Sequence, residues 1–126
     1  MSRFFYAGSI TTTSGIAECQ QAIQSAFLLV KKQPFINHDG SYFQATLGNQ
    51  FLFRFLGAFF ASDSMYPMIV KISLTQENDQ RIIDIQVHED FGFGTLWGVE
   101  TKYREKVEKM KNILEGYMRT QLGMNA

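Results

Sequence analysis

The tract from His88 to Trp97 concentrates the side chains of this chain that could do chemistry. It reads H-E-D-F-G-F-G-T-L-W. Histidine and carboxylate side chains bind transition metals, and they serve as general acids and bases. Adjacent residues of a strand point to opposite faces, so only His88 and Asp90 could share one site. The second histidine, His38, lies far away in the sequence, and no closely spaced set of His and Cys accompanies it. The tract therefore predicts a solvated strand end, and we expect neither a metal nor another cofactor.

Three glycines in and after this tract approach a dinucleotide-binding fingerprint. Gly92, Gly94 and Gly98 are spaced G-x-G-x-x-x-G, whereas the fingerprint G-x-G-x-x-G would place its third glycine where Trp97 stands. The fingerprint also needs a parallel β-α-β unit, which the hydrophobic pattern lacks. Glu89 would repel a phosphate at the start of the following helix. The sequence therefore favours turn geometry for these glycines.

No other segment carries a catalytic signature. Cys19 lies on the apolar stripe of a predicted helix, so a buried and inert thiol is expected rather than a nucleophile. The chain contains no G-x-S-x-G, no Walker A motif and no H-E-x-x-H. We name no catalytic residue, and an enzyme is the less favoured class.

Composition restricts the class of protein further. The 126 residues fit a single domain, 1–126, and 45% of them are hydrophobic. Twelve Lys and Arg balance twelve Asp and Glu, which argues against nucleic-acid partners and predicts modest solubility, a property that often accompanies a protein partner or self-association. The longest apolar runs are too short for a membrane span, and the N-terminal one is too short for a secretory signal. With Cys19 as its one cysteine, the chain is expected in the cytoplasm.

The hydrophobic pattern predicts the elements that would position these residues. An aromatic run at Phe4–Ala7 predicts a first strand, followed by a loop over Ser9–Gly15. Apolar residues at threes and fours predict a helix over Ile16–Lys32, with Ser14 as its N-cap. Hairpin-linked strands with turn signals at Asp39-Gly40 and Glu77–Gln80 come next, and a long amphipathic helix covers Val99–Leu122.

This order predicts an α+β fold. We expect a five-stranded, mostly antiparallel sheet in the order β-α-β-β-β-β-α, with two helices packed on one face. The element order is similar to one repeat of the TATA-binding-protein fold, or to a reduced helix-grip fold. That resemblance spans the chain at the level of topology and implies a fold, not a function.

The sheet face away from the helices is the predicted binding surface. Strand alternation places Asp84, Gln86 and His88 on it. The segment Gln50–Phe60 alternates too, and we predict its phenylalanines inward and Arg54 outward, because burying an unpaired guanidinium is costly. The plainer interpretation of Arg54 is a solvated strand arginine paired with Asp84 or Glu89.

Two hypotheses follow for function. The first is a non-enzymatic interaction domain that binds an unknown protein partner, or a second copy of itself, through this face and the aromatic loop over 88–97. The alternative is an apolar small molecule held between the sheet and the last helix, motivated by 12 Phe and 6 Met. In that loop the aromatic side chains either staple the last helix to the sheet or face a partner. The candidate binding residues are Arg54, Asp84, Gln86, His88, Asp90, Phe91, Phe93 and Trp97.

Overall fold

A computed structural model describes residues 5–48, 66–90 and 100–124 of the chain. The predicted strand over Gln50–Phe60 and the aromatic loop over 91–97 lie outside these residues. The described elements, in chain order, are β1 (Phe5–Thr12), α1 (Ile16–Leu29), β2 (Phe35–Ile36), β3 (Tyr42–Leu47), β4 (Met68–Glu77), β5 (Gln80–Glu89) and α2 (Glu100–Gln121).

The five strands form one antiparallel sheet in the spatial order β1-β5-β4-β3-β2. Strands β4 and β5 make its centre, a ten-residue hairpin in which Glu77 pairs with Gln80 across a two-residue turn. Asn78 begins that turn with φ of 56°, a conformation that asparagine tolerates better than most residues. The predicted α+β class, the five-stranded sheet and the two helices are confirmed.

Both helices pack on the same side of the sheet. Helix α2 covers β1 and β5, and α1 lies over β4 and β5, with Phe27 stacked on Phe43 of β3. The strand residues that point toward the helices alternate with half-buried or exposed ones, as the hydrophobic pattern predicts. Those of the two central strands are Val70, Ile72, Leu74, Ile83, Ile85 and Val87, all buried. Neither described helix packs on the opposite face of the sheet.

The first strand is longer than its aromatic run predicts. We expected a loop from Ser9 onward, but β1 continues to Thr12 and stays paired with β5 along its whole length, as far as the pair Thr12 and Arg81. The reason lies in alternation, because Ile10 and Thr12 are buried while Thr11 between them is exposed. Threonine is a favourable strand residue once a partner strand is present.

The N-cap of α1 is Gly15, so the prediction of Ser14 is wrong by one position. The amide of Ser14 donates to Oγ1 of Thr12 at 3.1 Å, which ties Ser14 to the end of β1 instead. Glu18, the third residue of the helix, accepts a hydrogen bond from the cap residue, because the Gly15 amide donates to Oε1 of Glu18 at 3.3 Å. This is half of a capping box, the half that the third helical residue supplies.

Helix α1 ends at Leu29, before the predicted Lys32, in a Schellman motif. The Lys31 amide donates to the Leu28 carbonyl at 2.9 Å, and the Lys32 amide donates to the Phe27 carbonyl at 3.0 Å. This reversal needs a left-handed residue, and Lys31 occupies it with φ of 60°. The positive charges of Lys31 and Lys32 are favourable near a helix C-terminus, but it is the left-handed conformation of Lys31 that ends the helix.

Replacing Lys31 with glycine should therefore stabilise the protein. A side chain at this φ costs about 1 kcal/mol, partly offset by the entropy that glycine adds to the unfolded chain. We expect Lys31→Gly to raise the free energy of unfolding by about 0.5 kcal/mol in urea denaturation. Lys32→Gly removes the same charge where φ is not positive, and it should give no gain. Equal effects of the two variants would contradict this interpretation.

Candidate functional site on the outer sheet face

The outer face is the side of the sheet that points away from both helices. Among the described residues it consists of odd residues 5–11 of β1, even residues 82–88 of β5, odd residues 69–75 of β4, even residues 42–46 of β3, and Phe35 of β2. Pairing between strands fixes which of these side chains are neighbours, because directly opposite residues lie about 5 Å apart.

Three predicted site residues form a column along β5 on this face. Asp84 lies between Ser9 and Ser73 of the flanking strands. Gln86, two residues further along β5, lies between Ala7 and Lys71. The Asp84 carboxylate and the Gln86 amide are both exposed to solvent.

His88 completes this column and is half-buried between Phe5 and Ile69. Its Nδ1 lies 3.2 Å from the carbonyl oxygen of Glu89, a hydrogen bond in which the ring nitrogen donates. The next side chain, Glu89, is buried on the helix side at 5% exposure. The triplet His88-Glu89-Asp90 is thus divided between two faces, as strand alternation predicts.

Asp90 follows β5, and its backbone is held by the start of β4. Its amide donates to the Pro67 carbonyl at 3.1 Å, which extends the ladder one step beyond the pair of Met68 and Glu89. The same carbonyl accepts the hydroxyl of Tyr103 from α2. Within residues 5–48, 66–90 and 100–124, no three His, Cys, Asp or Glu side chains are placed to hold a metal ion.

The remaining predicted site residues lie outside the described part of the chain. These are Arg54, Phe91, Phe93 and Trp97. Their place on the binding surface stays a prediction, as does the inward orientation of the phenylalanines between residues 50 and 60.

Hydrogen-bonding groups and two exposed rings characterise the described outer face. The hydroxyl of Tyr42 donates to Oε1 of Gln44 at 2.6 Å. Lys71 and Asp84 make no salt bridge with other described residues, so both charges remain available to a partner. At opposite margins, Phe5 is 56% exposed and Phe35 is 65% exposed. Such a surface suits recognition by hydrogen bonds with apolar anchors at its edges.

Sequence reasoning missed the two phenylalanines. Their exposure follows from their position on β1 and β2, which are the two outer strands of the sheet that the described residues form. The hydrophobic periodicity of either segment does not indicate the order of the strands in the sheet. Phe35 stands directly after Pro34, and a proline beside a short strand is a signal that could have indicated an edge strand.

A small groove lies between the start of β4 and α2, near the predicted apolar pocket. Its volume is about 120 Å³, and it is lined by Met68, Lys106, Lys109, Met110 and Ile113. Pockets for drug-sized ligands measure about 300–1,000 Å³. Elsewhere on this interface the described helix residues are packed against the sheet, Tyr103, Val107, Leu114 and Met118 among them. A ligand under Phe91, Phe93 and Trp97 stays a prediction.

Cys19 is buried on the inner face of α1, where the apolar stripe placed it. Burial raises the pKa of its thiol. Its Sγ lies 3.9 Å from the Ser14 carbonyl, close enough for the thiol to donate a weak hydrogen bond. A neutral, enclosed thiol is a poor nucleophile.

Neither helix in the described residues combines the length and the apolarity that crossing a membrane requires. No protein-family model matches the chain, and no curated protein matches it significantly.

Proposed function

We propose that this chain is a non-enzymatic interaction domain that binds a protein partner through its outer sheet face. One observation carries the proposal, which is that both helices pack on the same side of the sheet. On the opposite side of the sheet, Asp84 and Gln86 are exposed to solvent, and His88 is half-buried beside them. In this proposal Phe91, Phe93 and Trp97 extend the surface beyond the end of β5.

The composition of the face supports a protein partner over other classes. Interfaces combine hydrogen-bonding groups with aromatic anchors, and the described outer face offers Phe5, Phe35 and Tyr42 for that role. Within its described residues, Lys71 is the only lysine or arginine. One cation does not provide the stripe of positive charge that binding a phosphate backbone requires.

A photo-crosslinking side chain tests which face meets the partner. We would place it at Gln86, which is exposed at the centre of the outer face, and in a matched variant at Asn112, which is exposed on α2. In cells that express the protein naturally, the Gln86 variant is expected to form a discrete covalent adduct with one protein. The Asn112 variant should form none.

Two outcomes would contradict the proposal. Adducts of equal yield from both positions would indicate non-specific proximity, and an adduct from Asn112 alone would assign binding to the helix side. Circular dichroism of both variants checks that the fold is retained, which is expected because surface substitutions usually change stability by less than about 0.5 kcal/mol.

A further inference from the structure

We propose that two copies of this chain associate through β1, edge to edge and antiparallel, so that their described five-stranded sheets join into one continuous sheet. This inference concerns the edge of the sheet, and it stands apart from the proposed function of the face. Within the described residues no strand lies beyond β1, whose other side is paired with β5.

The hydrogen-bonding phase of β1 is fixed by contacts elsewhere in the sheet. The Asp90 amide donates to the Pro67 carbonyl, and hydrogen-bonded pairs recur every second residue of an antiparallel ladder. The even residues of β5 therefore direct their N–H and C=O groups toward β4. Odd β5 residues therefore bond to β1, through its even residues 6–12. Residues 5, 7, 9 and 11 direct their N–H and C=O groups toward the open edge. Arg119 supports this phase independently, because its Nη2 donates to the outward Ser9 carbonyl at 3.2 Å.

The open edge of β1 has few of the features that prevent an edge strand from pairing with another chain. Its sequence, F-Y-A-G-S-I-T-T, contains no charged residue and no proline, and its register to β5 is unbroken from Phe5 to Thr12. In natural sheets, edge strands are usually protected from such pairing by lysine, proline, β-bulges or short length. The opposite edge follows that rule, since β2 has only two residues and Pro34 precedes it.

The residues of β1 are complementary to their own copy about a two-fold axis at Gly8. In that register Ala7 pairs with Ser9 of the partner subunit, and Phe5 pairs with Thr11 of the partner subunit. The four outward residues of each strand would form about eight main-chain hydrogen bonds. Aromatic and β-branched side chains would face each other across the seam, an arrangement that stabilises strand pairs.

Gly8 suits the position on the two-fold axis because α2 crosses the sheet there. A Cβ at Gly8 would collide with Oε1 of Glu115, whose carboxylate also holds Lys111 and Arg119 at 3.3 Å each. Two facing glycines add no side chain to this crowded crossing. Arg119 uses one lone pair of the Ser9 carbonyl and leaves the other for an incoming amide.

The oligomeric state of the full chain tests the proposal. By light scattering after size exclusion, in reducing buffer, we expect a dimer at twice 14.4 kDa. Ser9→Pro removes one outward amide, leaves the ladder to β5 intact, and should give a monomer with an unchanged circular dichroism spectrum. Thr46→Pro is the matched control, because Thr46 is exposed on β3 at the opposite side of the sheet, beyond the two residues that pair with β2. It should remain dimeric.

A disulfide tests the register. An equimolar mixture of Ala7→Cys and Ser9→Cys should form a disulfide-linked heterodimer on mild oxidation, since paired strand residues lie at a distance that a disulfide spans. Each variant alone should not. A wild-type monomer at all concentrations, a dimeric Ser9→Pro, or equal disulfide yield in the single variants would overturn the proposal. A monomeric Ser9→Pro that still gives the Gln86 adduct separates this edge from the proposed function of the face.

Discussion

Replacing Gly48 with alanine is expected to lower the free energy of unfolding by about 3–4 kcal/mol, the largest effect of one added methyl group that we expect in the described residues. Gly48 follows β3 with φ of +80°, which alone costs an alanine about 1 kcal/mol. A Cβ there would also overlap the backbone carbonyl of Tyr66 and come within 2.8 Å of the Pro67 nitrogen. These obstacles are main-chain atoms of the two residues just before β4, so relieving the overlap requires the ends of β3 and β4, which are paired, to separate.

Gly123→Ala separates the cost of the positive φ from the cost of the steric overlap. Gly123 has a similar φ of +72°, but a Cβ there would meet nothing within 4 Å. We expect this variant to lose only about 1 kcal/mol. Urea denaturation of both variants measures the difference, read from the midpoint at constant slope. Equal losses would mean that backbone strain, and not the contact with Tyr66 and Pro67, determines the cost at Gly48.

Truncating Phe43 to alanine should cost about 3–5 kcal/mol, the range found for large aromatic side chains in cores. Phe43 is fully buried on β3, and its ring stacks on Phe27 of α1 with 6.5 Å between centroids. The substitution would leave a cavity between the first helix and the sheet, where the backbone of a paired strand cannot collapse to fill it.

Phe35→Ala is the matched control for that prediction. Phe35 lies on the adjacent strand β2 and pairs with Gln44, the residue next to Phe43, but it is 65% exposed. We expect a loss within about 0.5 kcal/mol. A loss at Phe35 as large as that at Phe43 would show that the phenylalanine packs in the core, and it would remove one of the anchors assigned to the outer face.

The central hairpin could be predicted from sequence because burial and strand period agree there. Over 70–75 of β4 and 83–88 of β5, apolar residues alternate with polar ones, and a polar turn stands between the two strands. Such a pattern specifies both the strand and the face it buries. The same alternation placed Asp84, Gln86 and His88 on one side and buried Glu89 on the other.

The ends of elements were less predictable, since they depend on contacts distant in sequence. Ser9–Thr12 reads as a turn-like polar run, and it became strand only through pairing with β5. The stop of α1 at Lys31 used a lysine where the motif usually has glycine. Likewise, the exposed rings of Phe5 and Phe35 depend on spatial strand order, which local pattern does not contain.

The most direct test of the outer face as a binding surface is the affinity for the protein captured through Gln86. Asp84 and Glu108 are both exposed acids, one at the centre of the outer face and one on α2. By calorimetry, Asp84→Lys is expected to raise the dissociation constant at least about tenfold, or about 1.4 kcal/mol, while Glu108→Lys changes it less than about twofold. An unchanged affinity for Asp84→Lys, or an equal loss for Glu108→Lys, would contradict the assignment of binding to this face.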